Sequence, residues 1–223
     1  MVAGGGNAPK AADRVSRGGG GGEEQAGTGL EIRASGRHAC AGMVPILNQS
    51  FAAEQVSGPI MDRLWAAGWR HFGPDFFRYN VTFDASGPRT ITPLRLDLSQ
   101  FEFSKSQRRV LRRNLDLRLD VVPATLSEPT RAMFQRHKQR FRDNVPDGLE
   151  TFLSVTPGSI PCTCVELRVY LDTEFIAASF LDVGKAATSA VYGIFEPAHS
   201  HRSLGTYTIL KEIEFSRARG CRY

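Results

Sequence analysis

Three consecutive extended runs in the last third of the chain constrain its fold more than any other feature. "CVELRVYLD" puts Val165, Leu167, Val169 and Leu171 on one side, the period-2 pattern of a half-buried strand, and Asp172-Thr173 marks a turn after it. "EFIAASFLDVG" and "TSAVYGIFEP" follow as two more strands, linked through "GKAA". The first of these is an almost unbroken run of small apolar residues, as expected of a central strand covered on both faces. Connections this short join antiparallel neighbours, so the three runs predict a meander. Upstream, Leu115, Leu117, Leu119 and Val121 alternate with Asp116, Arg118 and Asp120 and stop at Pro123, predicting another half-buried strand. "TPLRLDL" also alternates and reads as a strand.

Helical spacing surrounds these strands. "SGPIMDRLWAAGW" carries Ile60, Met61, Leu64, Trp65 and Gly68 at helical intervals, with Ser57 or Gly58 ahead and Pro59 suited to the first turn. "GWRHFGPDFFRYNVTF" then turns into extended, aromatic-rich chain. "SEPTRAMFQRHKQRF" predicts a helix with Phe134, His137 and Phe141 on one face, where His137 reads as a packed histidine rather than a ligand. "EPAHSHRSLGTYTILKEIEFSRARG" is a loop running into a helix whose apolar side is Leu204, Ile209, Leu210, Ile213 and Phe215, with Gly220 as its stop. The order predicts an α+β fold, a central, mostly antiparallel sheet flanked by helices. At 223 residues, 41% of them hydrophobic, the chain can bury the core of one globular domain. Residues 1–38 are Gly-, Ala- and charge-rich, with "GGGGG" at Gly18 to Gly22; a disordered leader is expected there, with order beginning near Met43.

The stretch "SKSQRRVLRRN" is the strongest functional signal. Ser104 and Gln107 fit a capping box, so a helix starts here. Lys105, Arg108 and Arg112 then share a face that Arg109 and Arg113 extend, and no acid stands between Ser104 and Asn114. Two readings stay open: a solvated basic face, or a grip on a polyanion that relieves the mutual repulsion of the cations. With a net charge of +5, the clustering says more than the total. No apolar run is long enough to span a bilayer and no signal-peptide core is present, so a soluble, cytoplasmic protein with no membrane partner is expected. The four cysteines, Cys40, Cys162, Cys164 and Cys221, read as free thiols, and "CTC" offers only two ligands in tight spacing. In "HSHRSLGTYTIL", a Gly-containing turn at a helix start, behind His199, His201 and Arg202, offers free backbone N–H groups to an anion or a carbonyl oxygen. Asp182 ends an otherwise apolar strand, where it either initiates the turn at Gly184 or serves chemistry, and Tyr192 on the next strand reads equally as core. No Ser-His-Asp signature, zinc spacing or Walker-type loop is present.

Four segments, "LWAAGWRHFGPDFFR", "TPLRLDLSQFEFSKSQRRVLRRN", "FLDVGKAATSAVYGIFEP" and "SLGTYTILKEIEFSRARG", together resemble the arginyl-tRNA–protein transferases and their bacterial leucyl-transferring relatives over roughly Met61 to Tyr223. The resemblance implies a GNAT-type acyltransferase-like fold. It divides the chain into a leader (1–38), a family N-terminal region without its cysteine cluster (39–100) and a GNAT-like aminoacyl-transferase domain (101–223). It also implies a reaction: aminolysis of an aminoacyl-tRNA ester by the N-terminal amine of a protein beginning with Asp or Glu, a mark for degradation. In that scheme Lys105, Arg108, Arg109, Arg112 and Arg113 hold tRNA phosphates. Asp182 takes or orients the proton of the amine, while Tyr192 and Ser189 line the aminoacyl pocket. Ser203, Leu204, Gly205 and Thr206 form the donor or oxyanion loop, and Arg95 or Arg202 meets the acidic acceptor.

Two departures accompany the resemblance. The family's cysteine pairs include one shortly before its "P-L-R" strand, and "RYNVTFDASGPRTITPLR" has none, so no cofactor and a colourless, metal-free protein are expected. Relatives also continue past "CRY" with an aromatic strand, so a sheet shortened at its C-terminal end and an inactive relative are both open readings. The competing functions are an acetyl-CoA-dependent GNAT acyltransferase, against which the single glycine of "RSLGTY" argues, and a non-catalytic RNA-binding module.

Overall fold

The computed structural model describes residues 46–84, 86–142 and 145–223, and Leu47–Tyr223 form one compact unit. The expected leader, the expected start of order near Met43, and Cys40 lie outside the described residues. Among the described residues, no helix is long and apolar enough to cross a membrane.

The N-terminal part is a small aromatic sheet with one helix. Strand β1 (Asn48–Ala52) precedes helix α1 (Gly58–Ala66), and β2 (Arg70–Phe72) and β3 (Asp75–Tyr79) form a hairpin, giving an antiparallel sheet of order β1-β3-β2. The hairpin turns at Gly73-Pro74, where Gly73 takes φ +52°, a backbone that side chains rarely adopt. The turn sets the register so that His71 pairs across the ladder with Phe76 and faces inward with it. Pro59 stands in the first turn of α1, where its missing N–H costs nothing. The helix buries Met61 and Leu64 against Phe76 and Cys162. A second hairpin, β4 (Val81–Asp84) and β5 (Gly87–Thr90), stands apart as a two-stranded ribbon.

The basic run forms helix α2 (Lys105–Arg113), followed by strand β6 (Leu117–Pro123) and helix α3 (Glu128–Lys138). The meander comes next: β7 (Cys164–Leu171), β8 (Glu174–Val183) and β9 (Thr188–Phe195), then helix α4 (Leu204–Ala218). These strands make one antiparallel sheet of order β6-β7-β8-β9. Strand β8 is buried from Ile176 onward, as its continuous apolar run predicts. Neighbouring residues on it enter different cores, as the pleat requires. Ala178 and Phe180 pack with Met133 and Phe134 of α3, whereas Ala177 packs with Leu204 and Tyr207 of α4 and with Val110 and Leu111 of α2. The turn from β8 to β9 docks on α1, whose Asp62 accepts hydrogen bonds from the amides of Ala186 (2.8 Å) and Ala187 (3.1 Å). A side chain at Gly184 would collide there with Asp62 and Trp65.

Three expectations need correction. "TPLRLDL" is not a strand: Leu94 and Leu96 are 79% and 41% exposed, and no neighbouring strand offers it a ladder. Alternation without a partner leaves only an extended arm, tied down by the amide of Leu98 on the carbonyl of Arg222 (2.8 Å). Leu115 is 82% exposed and lies before β6, outside the ladder that buries Leu117 and Leu119. On α4 the buried stripe is Leu204, Thr208, Glu212 and Ser216, four residues apart, with Tyr207 and Leu210, while Ile209 is 41% exposed. Contact with the sheet, not side-chain hydrophobicity alone, sets which face of this helix turns inward.

Candidate functional site

Helix α2 is built to present charge. Its capping box closes as the sequence predicts: Ser104 Oγ accepts from the amide of Gln107 (3.2 Å), and Gln107 Oε1 accepts from the amide of Ser104 (2.8 Å). None of its residues is buried; Val110 and Leu111 alone touch the core beneath. Among the described residues, none of Lys105, Arg108, Arg109, Arg112 and Arg113 forms an ion pair. Arg108 donates to the carbonyl of Phe103 and Arg113 to that of His201 (2.8 Å), which leaves both charges uncompensated.

The C-terminal end of α2 is clamped to the loop that opens α4. Asn114 Nδ2 donates to the carbonyl of Arg202 (3.0 Å) as well as to that of Val110 (3.0 Å). Ser203 caps α4 in the left-handed conformation, φ +58°, and its side chain makes no capping hydrogen bond. The first-turn amides of Leu204, Gly205 and Thr206 therefore have no side-chain cap, and they stand at the positive end of the helix dipole. Beside them Arg202 holds Asp116 through two hydrogen bonds (3.0 and 2.9 Å), and this pairing keeps the Asp116 carboxyl below its ordinary range. A cavity of about 450 Å³ opens here, lined by Arg112, Arg113, Leu115, Asp116, His201 and Arg202. With Arg202 paired to Asp116, the guanidiniums of Arg112 and Arg113 leave the lining with an excess of positive charge. The expected tRNA-binding helix and the expected donor loop thus meet at one corner, and Arg202 joins them. Arg95 does not: it is exposed and lies over the ring of Tyr223, 3.1 Å from its centroid.

Asp182, Ser189 and Tyr192 line no part of that cavity. Asp182 was expected at a pocket; it is 2% exposed, and its Oδ2 lies 2.7 Å from His71 Nε2. The turn to β9 is folded back onto α1, which closes the end of the strand over the carboxylate. His71 Nδ1 lies 2.9 Å from the carbonyl oxygen of Gly73, which can only accept, so Nδ1 carries a proton and Nε2 faces Asp182. Cys162 completes a buried trio, and Cys164 stands opposite Asp182 in the ladder. Burial and then the Asp182 carboxylate push both thiols well above the usual thiol range. Ser189 is the register partner of Asp182 on β9. Tyr192 is half-buried in a stack on Phe152 (4.3 Å between centroids) near Phe134, and burial raises its hydroxyl pKa. Sequence reasoning passed over His71. Its signal is a polar residue at an inward position of a Gly-Pro hairpin, which buried polar groups occupy only with a partner. The stretch Arg78 to Arg95, where the resemblance would put a cysteine pair, holds the β4–β5 ribbon and no thiol.

Residues 130–223 match the family model described as "Arginine-tRNA-protein transferase, C terminus". The chain is 33% identical over 168 residues to an aspartate/glutamate leucyltransferase of Marinobacter nauticus, covering 74% of this chain and 68% of that protein. Similar likenesses run to aspartate/glutamate leucyltransferases of Chromohalobacter salexigens (28% identical, 75% and 68% covered) and Helicobacter hepaticus (23% identical, 78% and 72% covered).

Proposed function

The chain belongs to the family of arginyl- and leucyl-tRNA–protein transferases, and from that premise we propose that it moves an aminoacyl group from tRNA to the N-terminal amine of proteins that begin with Asp or Glu, marking them for degradation. The observation that carries the reading is the corner where Arg112 and Arg113 of α2 share a cavity with His201 and Arg202, the residues that lead into the first turn of α4, whose amides have no side-chain cap. A polyanionic donor suits the cations, and a developing oxyanion suits the amides. The four-stranded meander leading into α4 also supports the GNAT-like fold that the resemblance implies.

In this reading Lys105, Arg108, Arg109 and Arg112 hold phosphates of the acceptor arm and position it without reading sequence. The amine attacks the ester carbonyl. A C–N bond forms, the C–O bond to the terminal ribose breaks, and the proton released by nitrogen ends on the departing ribose oxygen or in solvent. Amides of Leu204, Gly205 and Thr206 stabilise the tetrahedral oxyanion between these events. Arg202, oriented by Asp116, is the cation that the cavity offers to an acidic acceptor residue. Tyr192 and Ser189 lie outside the cavity on β9, so no step of the transfer is assigned to them. Asp182 supports the end of β8 behind them as a positioning residue. The relatives named above are leucyltransferases, so leucyl-tRNA is the first donor to test. The experiment is transfer of labelled leucine or arginine from charged tRNA to peptides that differ only in their first residue. Transfer to Asp- and Glu-initiated peptides, and not to a Lys-initiated one, supports the reading; label that stays on tRNA with every peptide refutes it.

A further inference from the structure

We propose that His71, Cys162 and Asp182 form a buried site for one zinc-class divalent ion, with Cys164, the ladder partner of Asp182, turning in as the fourth ligand, and that the ion ties the small aromatic sheet to the end of β8. The inference stands apart from the transfer reaction, because it concerns a buried point that the α2–α4 cavity does not reach. Three segments distant in sequence converge there. Strand β2 supplies His71, the loop before β7 supplies Cys162, and β8 supplies Asp182, with ligand atoms within 4.8 Å of one another and all three residues buried. Cys164, at the start of β7, is the ladder partner of Asp182, and its thiol donates to the carbonyl of Val165 (3.8 Å), a weak contact that ligation would replace. Two sulfurs, one imidazole nitrogen and one carboxylate oxygen are a donor set that zinc accepts in four-coordinate structural sites.

The orientation of His71 is that of a metal-binding imidazole. One nitrogen is spent on a backbone carbonyl, which fixes the tautomer, and the other points to the centre of the cluster. The same geometry excludes a Cys-His-Asp nucleophile. Such a triad needs one ring nitrogen for the thiol and the other for the carboxylate, and it needs access for substrate. His71 Nε2 and Asp182 Oδ2 are 2.7 Å apart. Ligands of one tetrahedral zinc sit about 3.4 Å apart at normal bond lengths, so binding opens this contact slightly while drawing in the sulfurs. The metal-free expectation followed from the absence of the family's cysteine pairs, and a missing motif says nothing of ligands that only the fold brings together.

The test uses the full chain, grown with added zinc and purified without chelator. The expected result is about one zinc per chain by elemental analysis, and a thiolate-to-metal charge-transfer band after exchange to cobalt(II). The double variant Cys162→Ser/Cys164→Ser should lose both, while Cys221→Ser keeps both. If the double variant does not fold, the cobalt spectrum of the parent decides by itself. A parent without stoichiometric zinc, a cobalt form without the thiolate band, or a folded double variant that retains the metal each overturns the proposal.

Discussion

The corner of α2 and α4 and the cluster around Asp182 handle charge in opposite ways. The corner gathers five cations on a helix with no buried residue and, among the described residues, leaves all five without an ion-pair partner. The cluster buries one carboxylate, and the surrounding imidazole and thiols satisfy it. Exposed like charges repel weakly and stay available, so they suit a ligand that comes and goes. A buried charge persists only with partners, so it suits a fixed structural role. The corner is thus suited to a diffusing ligand, and the setting of Asp182 to a fixed structural part.

The largest effect that would sharpen this contrast is on tRNA affinity. Arg109→Glu with Arg112→Glu reverses two charges whose side chains hold no hydrogen bond among the described residues. Binding to tRNA should weaken by about tenfold or more, and its salt slope should flatten by roughly one unit per lost phosphate contact. Unchanged affinity and slope in the folded variant would return α2 to an ordinary solvated face and erase the comparison. Next comes Asp182→Asn. Weakening a buried hydrogen bond in this way costs about 1–3 kcal/mol, which in a chain of this size lowers Tm by roughly 2–12 °C. Affinity for tRNA should stay at the parent value, because the corner is separate. An unaltered Tm together with a transfer rate reduced about a hundredfold or more per folded molecule would instead make Asp182 a catalytic base.

The smallest effect concerns a third kind of charge, an acid buried without a cation. Glu212 on α4 faces the sheet, and burial raises its carboxyl to about 8, against a weaker opposite pull from Ser179. The folded state therefore keeps a proton that the unfolded chain releases near pH 4.5. Stability from this group is full below that pH and is lost as pH rises toward about 8. Glu212→Gln should remove the slope, so its Tm advantage over the parent grows between pH 5 and 8. A constant difference across that window would mean that Glu212 is charged in the folded protein.

Much of the scaffold is legible in the sequence because it is local. The capping box of Ser104 and Gln107, the alternation of β7 and the continuous apolar run of β8 each need only a few neighbouring residues. The small aromatic sheet is harder to read. Its strand β1, Asn48–Ala52, is exposed along its length and carries no burial pattern. "TPLRLDL" fails for the converse reason, a strand pattern with no strand beside it. The site divides along the same line. The basic helix and the Ser203–Thr206 loop are contiguous stretches whose chemistry follows from composition and helix geometry. The pairing of His71 with Asp182 spans 111 residues of chain and exists only once the hairpin at Gly73 and the end of β8 have met.

The central claim is that the open corner serves aminoacyl transfer from tRNA to an acidic N-terminus. It is tested most directly by supplying the chain with labelled leucyl-tRNA or arginyl-tRNA and a peptide beginning with Asp, and following the label. The account predicts label appearing on the peptide's N-terminal amine, abolished by acetylating that amine and strongly reduced by Arg109→Glu/Arg112→Glu. Label that never leaves tRNA, in a folded protein that binds tRNA tightly, would contradict it and leave a module that holds tRNA without acting on it.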